Sequence, residues 1–287
     1  MTPCWSSVPG CRESLAAALH ALLAPRDESE IAAVLGLGAA IVASETEPPR
    51  VWHTLARDLN LIATAAHYGV RLRELHPRGA ARELSTSAEF AAHFHDSYLP
   101  LIERALAAGQ IVLVWRGWPP PAEDEWGLIT QVEAGEPVGR SASLASPAPL
   151  AGPAHQVYVV EERFAIAEPD AAALYHAALR ASRAFWEPVD AADTPARGVA
   201  AWDAWCATSL EQISAGVAAL AESRRRLAHW LERIEPQLDG DLRKTASDWR
   251  AVAHATADLL QRPAVETLRA AAKRECEWRL QAGSPND

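Results

Sequence analysis

Cys11 is the residue whose setting best suits covalent chemistry. It follows the Pro9-Gly10 turn and opens CRESLAAALHALLA at 11–24, where Leu15, Leu19, Leu22 and Leu23 form one apolar stripe. A helix N-terminus offers free N–H groups and partial positive charge. That environment favours thiolate, the reactive form of cysteine. The same position also suits a small buried apolar side chain, the usual place of a free cysteine. A thiol nucleophile needs a base within reach and an acid or amide to orient that base. His155 stands behind a Gly-Pro loop, immediately before the β-rich run QVYVVEE at 156–162, and is the candidate base. Its other reading is a solvated loop histidine. Glu161, Glu162 and Glu168 are candidate orienters.

A second constellation surrounds the loop RGWPPPAEDE at 116–125. Trp115, Trp118 and Trp126 bracket it, with Arg116 and the acids Glu123, Asp124 and Glu125 at its mouth. A loop of this kind between two core strands could line a ligand groove, making Trp115, Arg116, Trp118 and Trp126 candidate substrate-binding residues. Equally, the tryptophans could be core and the loop a rigid connector. The HFH at 93–95 would put both rings on one face of a strand and suit zinc. The segment reads as helix, where two positions span about 200° and the rings diverge, so no metal site is expected. The Arg224-Arg225-Arg226 run reads as a solvated helix face. No GxGxxG after a strand, P-loop, GxSxG or HExxH occurs, and LGLGA at 35–39 follows a helix rather than a strand. No cofactor is implied.

The elements that must position these residues change character along the chain. Residues 28–35, 51–68 and 87–108 have helical periodicity, the last two closed by Gly69 and Gly109. VRLREL at 70–75 alternates as a half-buried strand does, and IVLVW at 111–115 suits a buried one. WGLITQVE at 126–133, the weaker PVGRSA and QVYVVEE complete the β signals, which stop after Pro169. Helical patterns continue at 173–186, 198–233, 241–261 and 263–280; the second is one long helix or two broken near Thr208-Ser209. Trp186, Trp202, Trp205, Trp230, Trp249 and Trp278 recur there at helical spacing and read as bundle core. The expected organisation is an α/β domain over 1–165 and an all-helical domain over 166–287.

Composition narrows the function classes. Of 287 residues, 49% are apolar and 22% charged, which fits a chain with a real core. A formal net charge of −10 argues against a nucleic-acid footprint, which needs clustered Lys and Arg. Cys4, Cys11, Cys206 and Cys276 show neither CxxC nor zinc-ligand spacing, so free thiols in the cytosol are the default. No signal-peptide pattern and no run approaching ~18 apolar residues is present, so the reading is a cytoplasmic protein without a membrane partner.

The order of signals in the first domain resembles a known pattern. A Cys opens a helix bearing Leu15 and Leu19, and a short helix ends in Leu35-Gly36-Leu37-Gly38-Ala39. A longer helix leads to Tyr68-Gly69-Val70, and a helix ending at Gly109 delivers IVLVW and a second strand. This resembles the N-terminal domain of the butirosin biosynthesis protein H type, itself similar to the bacteriocin-processing papain-like cysteine peptidases. GVAAWDAW at 198–205 is similar to a phrase of the helical domain that comes next in that family. The resemblance implies an α+β fold, a papain-like cysteine-peptidase-type domain followed by an all-helical domain. It implies a thiol acyltransferase or amide hydrolase of specialised metabolism, acting on a small-molecule or acyl-carrier-borne substrate through Cys11. It also implies a His opening the strand after the buried one, where this chain has Trp126. Indole N–H is a donor only and cannot act as a base. Either His155 substitutes from the next strand, or the fold persists as a catalytically inactive binding module.

Overall fold

A computed structural model describes residues 14–23, 26–43, 61–75, 89–166, 169–186 and 196–282. Cys4, Cys11, Glu168 and the first ten residues of the expected 51–68 helix lie outside the described residues. Contacts divide the chain into two units, Met1–Glu28 with Leu55–Ala167, and Ser29–Thr54 with Glu168–Asp287. Both helices and an antiparallel sheet are present, so the chain is mixed α+β with a helical C-terminal region. Among the described residues no helix is long and apolar enough to cross a membrane.

The first unit is built on an antiparallel sheet in the order β2-β7-β3-β4-β5-β6. Its strands are β2 (Val70–Glu74), β3 (Val112–Trp115), β4 (Trp126–Glu133), β5 (Glu136–Ser141), β6 (Ala148–Pro149) and β7 (Gln156–Arg163). The β-branched run 112–115 is buried throughout and takes the centre, flanked by β4 and β7. β2 is an edge strand whose alternation places Val70 and Leu72 inside and Arg71 and Arg73 outside. Those arginines pair across the strand with Glu162 and Glu161, and charge on an edge discourages further strand pairing. On one sheet face Val112, Val114, Ile129, Val157 and Val159 pack with Phe94, Tyr98, Ile102 and Ala105. The latter come from a π-helical turn Phe94–Tyr98, which continues α4 (Phe90–His93), and from α5 (Leu99–Ala107). The sequence predicts one uninterrupted helix here. Pro100 has no N–H to give to the preceding turn, and the widened turn just before it keeps both Phe94 and Tyr98 buried. α1 (Ser14–Leu23), with Leu15, Leu19 and Leu22 buried, packs on β4, and α3 (Leu61–His67) leads into β2.

The second unit is helical but does not begin at residue 166. From Ser29 onward it includes α2 (Glu28–Val34), a 3-10 turn Leu37–Ala39 and β1 (Val42–Ala43), all of which the sequence pattern assigns to the first domain. β1 pairs antiparallel with β8 (Ala196–Arg197), a two-residue ribbon too short to show as a β pattern. α6 (Ala171–Ala184), α7 (Gly198–Ala207), α8 (Leu210–Ile234), α9 (Gly240–Leu260) and α10 (Val265–Ala282) complete it. The 198–233 pattern is thus two helices. Thr208 and Ser209 are extended, and Thr208 Oγ1–H donates back to Ala204 O at 2.8 Å. Trp202, Trp205, Trp230, Trp249 and Trp278 are buried, Trp249 and Trp278 stacked at 5.2 Å between centroids.

The arginine run is not a solvated face throughout. Arg225 is exposed, but Arg224 is 1% exposed. Its Nη1 donates to Gly38 O and Ala40 O at 3.0 Å each, and its Nη2 to Ala39 O at 3.3 Å. Glu275 of α10 takes the rest, at 2.5 Å from Nε and 2.9 Å from Nη2, and also accepts from Trp202 Nε1–H at 3.3 Å. Arg is the residue suited to such a site because its planar fork carries five fixed donors. The backbone at 38–40 is tied to α8 and α10 by this side chain. Removing one member leaves the other buried and unpaired, at a cost of about 3–5 kcal/mol. Arg224→Met should lower the unfolding free energy by that amount in urea titration. The pair replacement Arg224→Met with Glu275→Leu should cost less than the sum of the single changes.

Candidate functional site

The end of the sheet where β3 stops and β4 begins collects most of the chemistry-bearing residues of the first unit. Trp115 pairs with Trp126 on one side and Gln156 on the other. The two indoles stack at 6.4 Å, and Trp126 meets Tyr158 at 6.2 Å on the same face. Trp115, Trp118 and Trp126 are only 9%, 2% and 3% exposed, so they are core. The loop at 116–125 is folded onto that core. Trp115 Nε1–H donates to Asp124 O at 3.2 Å, Arg116 N–H to Glu125 O at 2.9 Å, and Trp118 and Ala122 are buried. Trp118 lies against Gly127, where an added Cβ would stand 2.5 Å from the indole. Trp115 and Trp126 therefore pack on one face of the sheet and Trp118 in the core cluster of the other, and of the four candidate binding residues Arg116 keeps the most solvent contact.

Arg116 has a backbone φ of 66°, a region that costs a non-glycine residue about 1–2 kcal/mol. The turn directs its guanidinium over the Trp115 ring at 4.4 Å and onto Asp124 Oδ1 at 2.8 Å. Cation–π contact and ion pair together hold a charge that offsets the unfavourable backbone.

His155 enters the same corner from the other side of β3. Its N–H donates to Trp115 O at 2.9 Å. His155 sits in the bend just before β7. There its ring meets Phe90 at 5.0 Å and the edge of Trp115 at 5.9 Å. Burial, and secondarily the Arg116 charge, push its pKa down to about 4, with Asp124 opposing. The imidazole is neutral at physiological pH. Of the candidate orienters, Glu161 and Glu162 lie at the far end of β7, engaged with Arg73 and Arg71, and are not brought to His155.

One contact joins Trp126 to a residue the sequence pattern does not single out, Ser14. The N–H of Trp126 donates to Ser14 Oγ at 3.0 Å, at the start of α1 and three positions after Cys11. Beside it, the Glu125 carboxylate binds Ser143 N–H at 3.1 Å and the hydroxyls of Ser141 and Ser143. Ser141 Oγ also lies 2.9 Å from Trp126 O. The acid nearest the strand opening thus serves a serine turn. Nothing in the spacing signals these bonds, since they join residues 112 and 15–18 positions apart. His93 and His95 fall on either side of the start of the π turn, and no group of metal-ligating residues occurs among the described residues.

A histidine whose folded pKa is depressed binds its proton more readily when unfolded. Stability is then full above about pH 6.5 and declines as pH falls towards about 4, by at most about 1.4 kcal/mol per pH unit. His155→Gln should flatten that part of the profile relative to the unaltered protein, read as the difference in urea midpoints between pH 7 and pH 4.5. Compared with protein-family models and with curated proteins, the chain finds no match in either.

Proposed function

We propose that the first unit is a papain-like, cysteine-peptidase-type scaffold that works as a binding module, its thiol chemistry silenced by Trp126. The observation that carries this reading is the Trp126 N–H to Ser14 Oγ bond. It couples the opening residue of β4 to the start of the helix just after Cys11, the juxtaposition a thiol–imidazole pair requires in the resembled fold. Here the side chain at that strand opening is an indole packed between Trp115 and Tyr158, and an indole cannot take a proton from sulfur. His155 supports the same reading, because a pKa of about 4 makes a weak base at neutral pH and its ring turns towards Phe90. By the resemblance, the ligand class is a small molecule or an acyl group borne on a carrier, held without covalent transfer.

Iodoacetamide labelling of Cys11, monitored across pH by peptide mass mapping, tests this. An ordinary thiol midpoint near pH 8–9 is expected, with no acyl-enzyme burst on a p-nitrophenyl ester. A midpoint below pH 7 together with a burst abolished by both Cys11→Ser and His155→Gln would overturn the proposal in favour of an active acyltransferase or hydrolase. Trp126→His should lower the Cys11 midpoint by about 1 pH unit or more, since an imidazole beside a thiol favours the thiolate.

A further inference from the structure

The segment that opens the helical unit is held by side chains rather than by long strand pairing. Every residue from Ile31 to Ala43 is buried, yet its ladder contact is confined to Val42 and Ala43, opposite Arg197 and Ala196. Its carbonyls meet donors from the far end of the chain instead. Ser223 Oγ–H donates to Leu37 O at 3.0 Å, and the Trp205 indole N–H to Val42 O at 3.0 Å. Between them Arg224 serves Gly38, Ala39 and Ala40, and the Trp186 indole N–H also reaches Ala39 O at 3.3 Å. All four donor residues belong to the 168–287 part of the chain.

Bonds to carbonyls read backbone, and side chains are selected by the room left for them. A Cβ on Gly38 would stand 2.9 Å from Leu227 Cβ, and one on Gly36, where φ is 80°, would stand 2.8 Å from the Ala181 backbone. Leu35, Leu37, Ile41 and Val42 are sealed from solvent, and burial of apolar side chains is the dominant favourable contribution in association. The covalent arrangement adds a further point. Residues 1–28 and 55–167 form the other unit, so the segment leaves that unit at its start and returns to it at its end. It has no free terminus from which to fray.

We propose that segment 29–43 is a non-covalent latch, a Gly- and Ala-rich peptide gripped through its carbonyls by the helical region, and that it keeps residues 1–167 joined to residues 168–287 when the chain between them is cut. The receiving surface comes from α6, α7 and α8 together with Trp186, and its partner is this one segment of the same chain. Six hydrogen bonds hold the segment. Release requires them to break together with the apolar contacts, so the two pieces part slowly.

The test uses the full chain with a site for a sequence-specific protease inserted between Ala167 and Glu168. After cutting, size-exclusion chromatography with light scattering should show one particle of the uncut mass at micromolar concentration. Separation or precipitation of the pieces on cutting would overturn the proposal. Mixing cut protein with an isotopically heavy cut copy then gives the rate at which pieces exchange, read by native mass spectrometry. The double change Ser223→Ala with Trp205→Phe removes two donors to the segment and should speed exchange at least about tenfold. Arg225→Ala, on the exposed neighbour of Arg224, should leave the rate unchanged. Equal exchange rates in the double variant and the unaltered cut protein would show that other contacts join the pieces and would overturn the latch. Each outcome is independent of Cys11 and Trp126.

Discussion

Every N–H and C=O of a strand buried on both sides must be matched by its neighbours, because no water reaches it. β3 lives under that constraint: four residues, all buried, with β4 on one side and β7 on the other. Short as it is, it fixes the register of the two longest strands and decides which side chains meet at each of its ends. At the Trp115 end it gathers Trp126, Gln156 and His155; at the Val112 end it leaves its neighbours overhanging.

The two ends differ in character because the chain leaves β3 and enters it by different routes. After Trp115 it turns through a positive φ at Arg116 into a loop that bonds back to the strand, the Trp115 indole N–H meeting a carbonyl of Asp124. Rings pack there, and the half-buried His155 imidazole is held neutral. Before Val112 the chain comes from the turn after α5, which leaves an open polar gap. The first end is a packed aromatic corner, whereas the second end offers groups suited to hydrogen bonding.

Much of this fold was legible in the residues. β4 coincides with WGLITQVE, and β2, β3 and β7 fall within a residue or so of their alternating or β-branched runs. Six tryptophans of the helical region read as core because their spacing is helical; Trp202, Trp205, Trp230, Trp249 and Trp278 are buried, while Trp186 is half-buried. Long-range polar pairing left no such trace. Arg224 sits in a basic triplet that resembles any solvated helix face, and its burial depends on carbonyls at 38–40 and a carboxylate at 275, neither of which leaves a local pattern. The same holds at the candidate site. Trp126 could be read as a departure from a base position, but its bond to Ser14 could not, because no periodicity links a helix start to a strand start 112 positions on.

The grip of Arg224 on Gly38 has a consequence for how the chain is made. The two residues are 186 positions apart, and the carboxylate that completes the cluster is 51 positions further on. At about 5–20 residues per second, the ribosome delivers Arg224 roughly 10–40 s after Gly38. Throughout that interval the segment 29–43, rich in Ala, Leu and Gly, is made without the partner that will bury it. Synthesis of this protein therefore includes an obligatory wait, during which a short apolar stretch depends on its own helix, or on a chaperone, to remain unaggregated.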